Sequence, residues 1–233
     1  MFELTHFNYA TIILDVGAVL LVCGILRQTR FMRRSGRESD RLFFGMLLWT
    51  IVIAVSDMVD YLAEDRPTPF LMNLQLFAVT IFFMACTVFA MSWFDYCTYR
   101  FKDGEEIKKI GLKPEFIPGV LIIGLFFVNQ TTGYIFFIDE LGGFQPGLLY
   151  APVTFALLAY LIPGFFYIAK YRKADQRVLI PVWIYAMPIV VSVVTYVLGD
   201  ISIIAMGCAV TITFTHLGTM EEIAESSMKE SVM

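Results

Sequence analysis

The sequence predicts an all-α integral membrane protein, a seven-helix transmembrane bundle with its N-terminus outside and its C-terminus cytoplasmic. A small extracellular β-hairpin is expected between helices four and five. Three observations lead there. Apolar residues make up 58% of the 233 and charged residues 16%, with mean hydropathy +0.71, against roughly half and a quarter in a soluble domain. The apolar residues come in runs of about 20, the length that crosses a hydrocarbon core of ~30 Å. Of the 17 lysines and arginines, all but Arg66 fall in loops on one side of such a bundle, the side that stays in the cytoplasm.

The spans can be taken in order. The first is Tyr9–Leu26, and MFELTHFNYA before it lacks the basic stretch and small-residue cleavage site of a signal peptide, so the span is retained. It ends in a loop carrying Arg27, Arg30, Arg33, Arg34, Arg37 and Arg41. Beside a membrane helix such a cluster fixes orientation, and no nucleic-acid partner is expected. Span two is Leu42–Leu62, closed by AEDRPTP, whose two prolines forbid a continuous helix. Span three, Phe70–Tyr99, is long enough to tilt or to project beyond the bilayer. Arg100, Lys102, Lys108, Lys109 and Lys113 follow it. Span four is Phe116–Val128, short unless it continues through the polar Asn129-Gln130-Thr131-Thr132-Gly133.

After the hairpin come span five, Leu148–Ala169, and a turn with Lys170, Arg172, Lys173 and Arg177. Span six, Val178–Leu198, contains Pro188, where a kink is expected. Span seven is Ile201–Leu217, after the turn Gly199-Asp200. The chain therefore divides into a transmembrane domain over 1–217 and a polar, acidic tail over 218–233, read as the start of a signalling helix or a free tail. No repeat period or useful heptad emerges. The cysteines Cys23, Cys86, Cys97 and Cys208 all lie within spans, outside any C-x-x-C motif, and read as small apolar packing residues.

Acids inside spans need a reason, because an unpaired carboxylate in lipid costs several kcal/mol. Asp15 lies about two turns inside span one. Asp57 and Asp60 share a face of span two at i,i+3 spacing. Asn73 and Gln75 open span three, and Asp200 caps span seven. With the N-terminus outside, all converge on the outer third of the bundle, with Asp139 from the hairpin above them. Asp15, Asp57, Asp60, Asn73, Asp139 and Asp200 are the candidate ligand-binding residues, with Asp15 and Asp57 facing each other and Asn73 within hydrogen-bond reach of one of them. The set suits a small-molecule or cation ligand, or protons. The alternative is structural: Asp60 and Asp200 at the water interface, Asp15 and Asp57 hydrogen-bonded between helices. Asp95 and His216 read as interfacial residues.

No catalytic constellation is present: H-E-x-x-H, G-x-S-x-G and Walker-type loops are all missing, and span seven has no lysine for a retinal Schiff base. No metal or cofactor is expected. Asn129-Gln130-Thr131 matches the N-glycosylation triplet, a weak signal by itself.

The hairpin reading rests on Tyr134–Asp139, a β-rich run, followed by turn residues Glu140–Gly143. Gly142-Gly143 is expected to supply positive φ. Tyr134, Phe136 and Ile138 point one way, Ile135, Phe137 and Asp139 the other. Both faces are largely apolar, so one must be covered. The expected cover is the mouth of spans one, two and seven, with the hairpin as a lid over Asp57 and Asp60.

The string IFFIDELGGFQPGLLY resembles a segment of bacterial seven-helix sensor modules that precede GGDEF diguanylate cyclase or histidine-kinase domains. The matching positions are Phe136, Ile138, Asp139, Gly147, Leu149 and Tyr150, with Phe144 in place of Tyr and Leu148 in place of Pro. The basic first loop entering LFFGMLL and the Ser56-Asp57 pair in span two are similar too. The resemblance implies a sensory input module in a bacterial plasma membrane. Since no cyclase or kinase motif follows span seven, the chain is expected to be either a fragment of a longer sensor or a standalone relative that signals through a cytoplasmic partner or a homodimer, with no enzymatic activity of its own. A small ion-coupled carrier is the other reading, because intramembrane acids with Pro188 or Gly124 breaking helices would permit a midplane site. The apolar middle, Thr80–Phe89 among it, argues for a plugged bundle.

Overall fold

The computed structural model describes residues 6–29, 38–101, 116–157, 188, 190–192, 194–195 and 202–232. Helices dominate. In chain order the elements are α1 (His6–Thr29), α2 (Glu38–Ala63), α3 (Pro69–Phe101), α4 (Ile117–Thr132), β1 (Phe136–Ile138), β2 (Phe144–Pro146) and α5 (Ile204–Val232). Residues 150–157 are also helical. α1, α2 and α3 are long and apolar enough to cross a membrane; α4 and the Ile204–Gly218 part of α5 are shorter apolar helices. Expected spans one to four and seven thus coincide with helices. Most of expected spans five and six, and Asp200, lie outside the described residues.

The ends of these helices follow from local chemistry. The prolines expected only to break the chain after span two also start the next helix. Pro69 is the first residue of α3, where its missing N–H would have had no partner, and the Met72 N–H closes the first turn on Thr68 O at 3.0 Å. In the loop before it, Asp65 takes φ 56°, a region non-glycine residues seldom occupy. Its N–H donates to Gly142 O at 3.3 Å, tying this loop to the hairpin tip. α4 runs on through Asn129 to Thr132 and stops at Gly133, whose φ of 64° lets its N–H return to Asn129 O at 3.0 Å. α5 does not end with its apolar part at Gly218. It continues as one helix through the polar residues to Val232.

Packing sorts the helices by depth. The buried share of the most apolar window rises from 28% in α1 to 39% in α2 and 56% in α3, so α3 is the central helix and α1 a peripheral one. Large side chains such as Ile13, Leu20, Phe77 and Phe127 remain more than half exposed. Water would penalise so much contiguous apolar surface, and lipid accepts it.

The buried residues of α1 are Asn8, Thr11, Asp15, Ala18, Val22, Ile25 and Thr29. Their spacing alternates three and four, a heptad seam where the sequence reading found none. The reason is physical. A membrane helix is apolar on its lipid face as well as its packed face, so apolar periodicity, the usual marker of a seam, is erased.

Candidate functional site

The half of the α1 seam nearest its N-terminus is polar: Asn8, Thr11 and Asp15, all buried. α2 and the residue just past its end answer with Asp57, Asp60 and Glu64 at the same spacing. The Asn8 Nδ2 donates to Glu64 Oε2 at 3.0 Å, and Asp57 lies close enough to Asp15 to act on its carboxyl. Moving seven residues forward on α1, from Asn8 to Asp15, moves seven back on α2, from Glu64 to Asp57. This is the register of an antiparallel helix pair. Two more elements complete the cluster. Ser202, two residues before α5, donates its hydroxyl to Asp57 Oδ2. Gln75 of α3 brings its amide alongside the Asp60 carboxyl.

The polar atoms of this cluster are unevenly satisfied. Most buried or half-buried hydroxyls elsewhere solve the problem locally, the Thr211 hydroxyl being an exception among the described residues. Thr50 bonds Met46 O at 2.9 Å, Thr80 bonds Leu76 O at 2.8 Å and Thr87 bonds Phe83 O at 2.8 Å, each donating to the carbonyl one turn back. A carboxylate has no proton to give and cannot do this. Among the described residues, both oxygens of Asp15, Oδ1 of Asp60 and both amide atoms of Gln75 are buried without a hydrogen-bond partner. Asp15 and Gln75 have no exposed surface at all. A buried polar group left unpaired costs roughly 1–3 kcal/mol, so the cluster is a costly feature of the fold.

Of the six candidates, the structure brings Asp15, Asp57 and Asp60 together. Asn73 is exposed; Gln75, two positions on and so on the other side of α3, takes the place expected of it. The Asp139 carboxylate is used within the hairpin, accepting from the N–H groups of Leu141 at 2.9 Å and Gly143 at 2.8 Å and from Gln145 Nε2 at 3.1 Å. These bonds, Gly143 first, hold its carboxyl below the usual carboxylate range. Asp200 is outside the described residues. Sequence reasoning missed Asn8, Thr11 and Ser202. The first two were findable, because Asn8, Thr11 and Asp15 repeat at seam spacing in an otherwise apolar helix.

The hairpin does form. β1 pairs antiparallel with β2, Phe136 opposite Pro146, Phe137 opposite Gln145 and Ile138 opposite Phe144. Its cover differs from the one expected. Phe136 is buried with its ring 5.5 Å from Phe83 of α3 and 6.4 Å from Phe126 of α4, so the hairpin docks on α3 and α4 and not on the mouth of α1, α2 and α5. Only its tip reaches the loop after α2, where a Cβ on Gly142 would stand 2.8 Å from Arg66 N. Of the two turn glycines only Gly142 has positive φ, 87°; Gly143 sits over the Asp139 carboxylate. Asn129 is 2% exposed, and its amide is bonded on both sides to Ile135 and Phe136, so the glycosylation triplet presents no free acceptor in the folded chain.

Glu64 lies just past the end of α2. Burial, then the neighbouring Asp65, raises its carboxyl above the usual range, against the Asn8 hydrogen bond. The folded state therefore binds the Glu64 proton more tightly than the unfolded chain does. Its contribution to stability is fully present below the ordinary glutamate range and is lost as pH rises through the raised value. Stability of the wild type in detergent, compared with Glu64→Gln across acid to neutral pH, should show this loss in the wild type alone. Parallel pH profiles would contradict it.

No protein-family model matches the chain, and neither does any curated protein or solved structure.

Proposed function

We propose that the protein is a receptor-like sensory input module of the plasma membrane, spanning it seven times with the N-terminus outside. It responds at the Asp15–Asp57–Asp60 cluster and signals through its cytoplasmic end to an output domain, whether on a separate partner or on a longer form of the same chain. One observation carries this reading: Ser202, at the entry to α5, is hydrogen-bonded to Asp57, and α5 then runs unbroken for 29 residues to Val232. At 1.5 Å per residue that is a rod of about 44 Å. A ligand or charge change at Asp57 that favours one position of Ser202 would move the far end of a stiff helix. Such coupling requires the ligand to bind the two arrangements with different affinity. The hairpin resemblance to sensor modules supports the same assignment.

The test is a distance. Spin labels at Arg27, near the end of α1, and Met220, just past the apolar part of α5, both exposed, are introduced with the native cysteines replaced. Asp57→Asn and Ser202→Ala should each shift the label-to-label distance distribution; distributions identical to the wild type would sink the reading. Orientation has its own check. A reporter after Met233 and one in the Arg27–Arg41 loop should read cytoplasmic, and one near Gly142 exterior. A C-terminus outside would overturn the span count.

The carrier reading draws on the same buried acids. Against it, the α1 seam carries no acid beyond Asp15, and Ala18, Val22, Ile53, Ala54 and Ile212 are all fully buried, so among the described residues no carboxylate continues the path inward along the seam. Proteoliposomes that take up a cation in an Asp15-dependent way would favour it.

A further inference from the structure

We propose that the recess formed by Asp15, Asp57, Asp60, Gln75 and Ser202 is a proton-binding site, holding an exchangeable proton among its carboxyls. The sensory reading is needed only for what the proton signals; the binding is argued from the site itself. Three carboxyls meet in helix contacts, and among the described residues no basic side chain acts on any of them. As three anions they would face a penalty of several kcal/mol each. Something positive must be taken up.

The choice of ligand follows from size and from the hydrogen-bond inventory. Among the described residues no three His, Cys, Asp or Glu side chains are grouped to hold a metal ion. Asp15 and Gln75 have no accessible surface, so an organic cation could reach their polar atoms only by parting the helices. A proton needs no volume. The unbonded atoms are four acceptors, Asp15 Oδ1 and Oδ2, Asp60 Oδ1 and Gln75 Oε1, against one donor group, Gln75 Nε2. Protonating a carboxylate from water adds one O–H donor and removes one negative charge, correcting both deficits at once.

Gln75 is the independent pointer. Its amide is fully buried and close enough to Asp60 to act on that carboxyl, yet neither its oxygen nor its nitrogen reaches hydrogen-bonding geometry with a partner among the described residues. A carboxylic acid matches an amide on both sides, its O–H to the amide oxygen and its carbonyl to the amide N–H; a carboxylate matches only the N–H. The remaining groups around the recess leave this balance in place. α1 presents Asp15, and α2 presents Asp57, Asp60, Tyr61 and, one turn on, Glu64. The loop carries Asp65 and the single cation Arg66, at the hairpin tip. The thiols Cys86 of α3 and Cys208 of α5 are neutral neighbours. A proton held among adjacent carboxyls belongs to the cluster and not to one residue.

Infrared difference spectroscopy of the full chain in lipid vesicles, scanned from acid to alkaline pH, tests this directly. A protonated-carboxyl C=O band is expected to be present at neutral pH. It should disappear entirely in the Asp15→Asn/Asp57→Asn/Asp60→Asn variant and shift in frequency, without loss, in Gln75→Leu. Absence of the band at neutral pH would overturn the proposal, as would a band of the same size in the triple variant. So would its removal by sodium or methylammonium chloride at fixed pH, which would name another cation as the ligand. If the triple variant does not fold, Gln75→Leu decides alone, and an unmoved band sinks the site. A band that behaves as expected while the Arg27–Met220 distance ignores pH would leave the proton site standing and remove the sensory reading.

Discussion

Asn129→Ala is expected to detach the hairpin and destabilise the protein by about 3 kcal/mol, the summed penalty of three buried backbone groups at roughly 1 kcal/mol or more each. The register explains why one side chain carries so much. The Asp139 N–H bonds Gly143 O at 2.9 Å and the Gly147 N–H bonds Ile135 O at 2.7 Å, so alternate residue pairs exchange ladder bonds. Phe136 opposite Pro146 falls between them. There the backbone groups point away from the partner strand, which is why the missing N–H of Pro146 leaves no gap in the ladder. The same geometry leaves the Phe136 N–H and C=O facing the helices. Asn129 satisfies both, its Oδ1 accepting from Phe136 N at 3.3 Å and Ile135 N at 2.7 Å and its Nδ2 donating to Phe136 O at 2.9 Å. The amide stands in for a third strand.

Two comparisons make this specific. Asn129→Asp keeps the acceptor but sets an oxygen against Phe136 O, so it should fare no better than alanine. Gln130→Ala loses the bond to the Thr80 hydroxyl between α4 and α3, a half-buried contact, and should cost about 1 kcal/mol. Chemical unfolding in detergent, with limited proteolysis across 139–147, reads both stability and docking. An Asn129→Ala protein as stable and as resistant as the wild type would refute the role.

The hairpin also shows how far residue order reaches. The turn Glu140–Gly143 was legible because glycine and acidic residues mark turns by local chemistry. The docking partner was not, because Phe83 and Phe126 sit among many phenylalanines in apolar helices and nothing in their spacing separates a packed ring from one in lipid. The carboxyl cluster divides in the same way. Asp15, Asp57 and Asp60 stood out since charge is rare in a span, whereas Gln75 and Asn73 look equivalent in sequence and differ only in which side of α3 they occupy. Ser202 was invisible. A serine in a turn becomes part of a site only when the fold brings its hydroxyl to Asp57, a contact across 145 positions of chain.

Substituting Gly207 should do most damage among the helical glycines, and the sign is decided by competing magnitudes. In a helix interior, Gly→Ala is worth about 1 kcal/mol in favour of alanine. At Gly24 and Gly45 an added Cβ meets nothing within 4 Å, so Gly24→Ala and Gly45→Ala should be neutral or stabilising by up to about 1 kcal/mol. At Gly207 the Cβ would strike the Ser192 hydroxyl and stand 2.8 Å from Pro188 O and 2.9 Å from Ser192 Cβ. That hydroxyl is already held by its bond to Pro188 O at 2.6 Å, and a backbone carbonyl cannot rotate aside. The neighbours Ala205, Cys208 and Ala209 are small and buried, as expected where helices approach closely in a membrane. α5 would have to move away from the segment carrying Pro188 and Ser192, an overpacking penalty of about 1–3 kcal/mol for alanine and more for valine. The net expectation is that Gly207→Ala is destabilising, Gly207→Val severely so, and Gly24→Ala neither, measured by chemical unfolding of the three proteins in one detergent. Equal stability of Gly207→Ala and Gly24→Ala would mean that α5 does not make this contact. The stiff link from Asp57 through Ser202 to the end of α5 would then lose the packing that holds it in place.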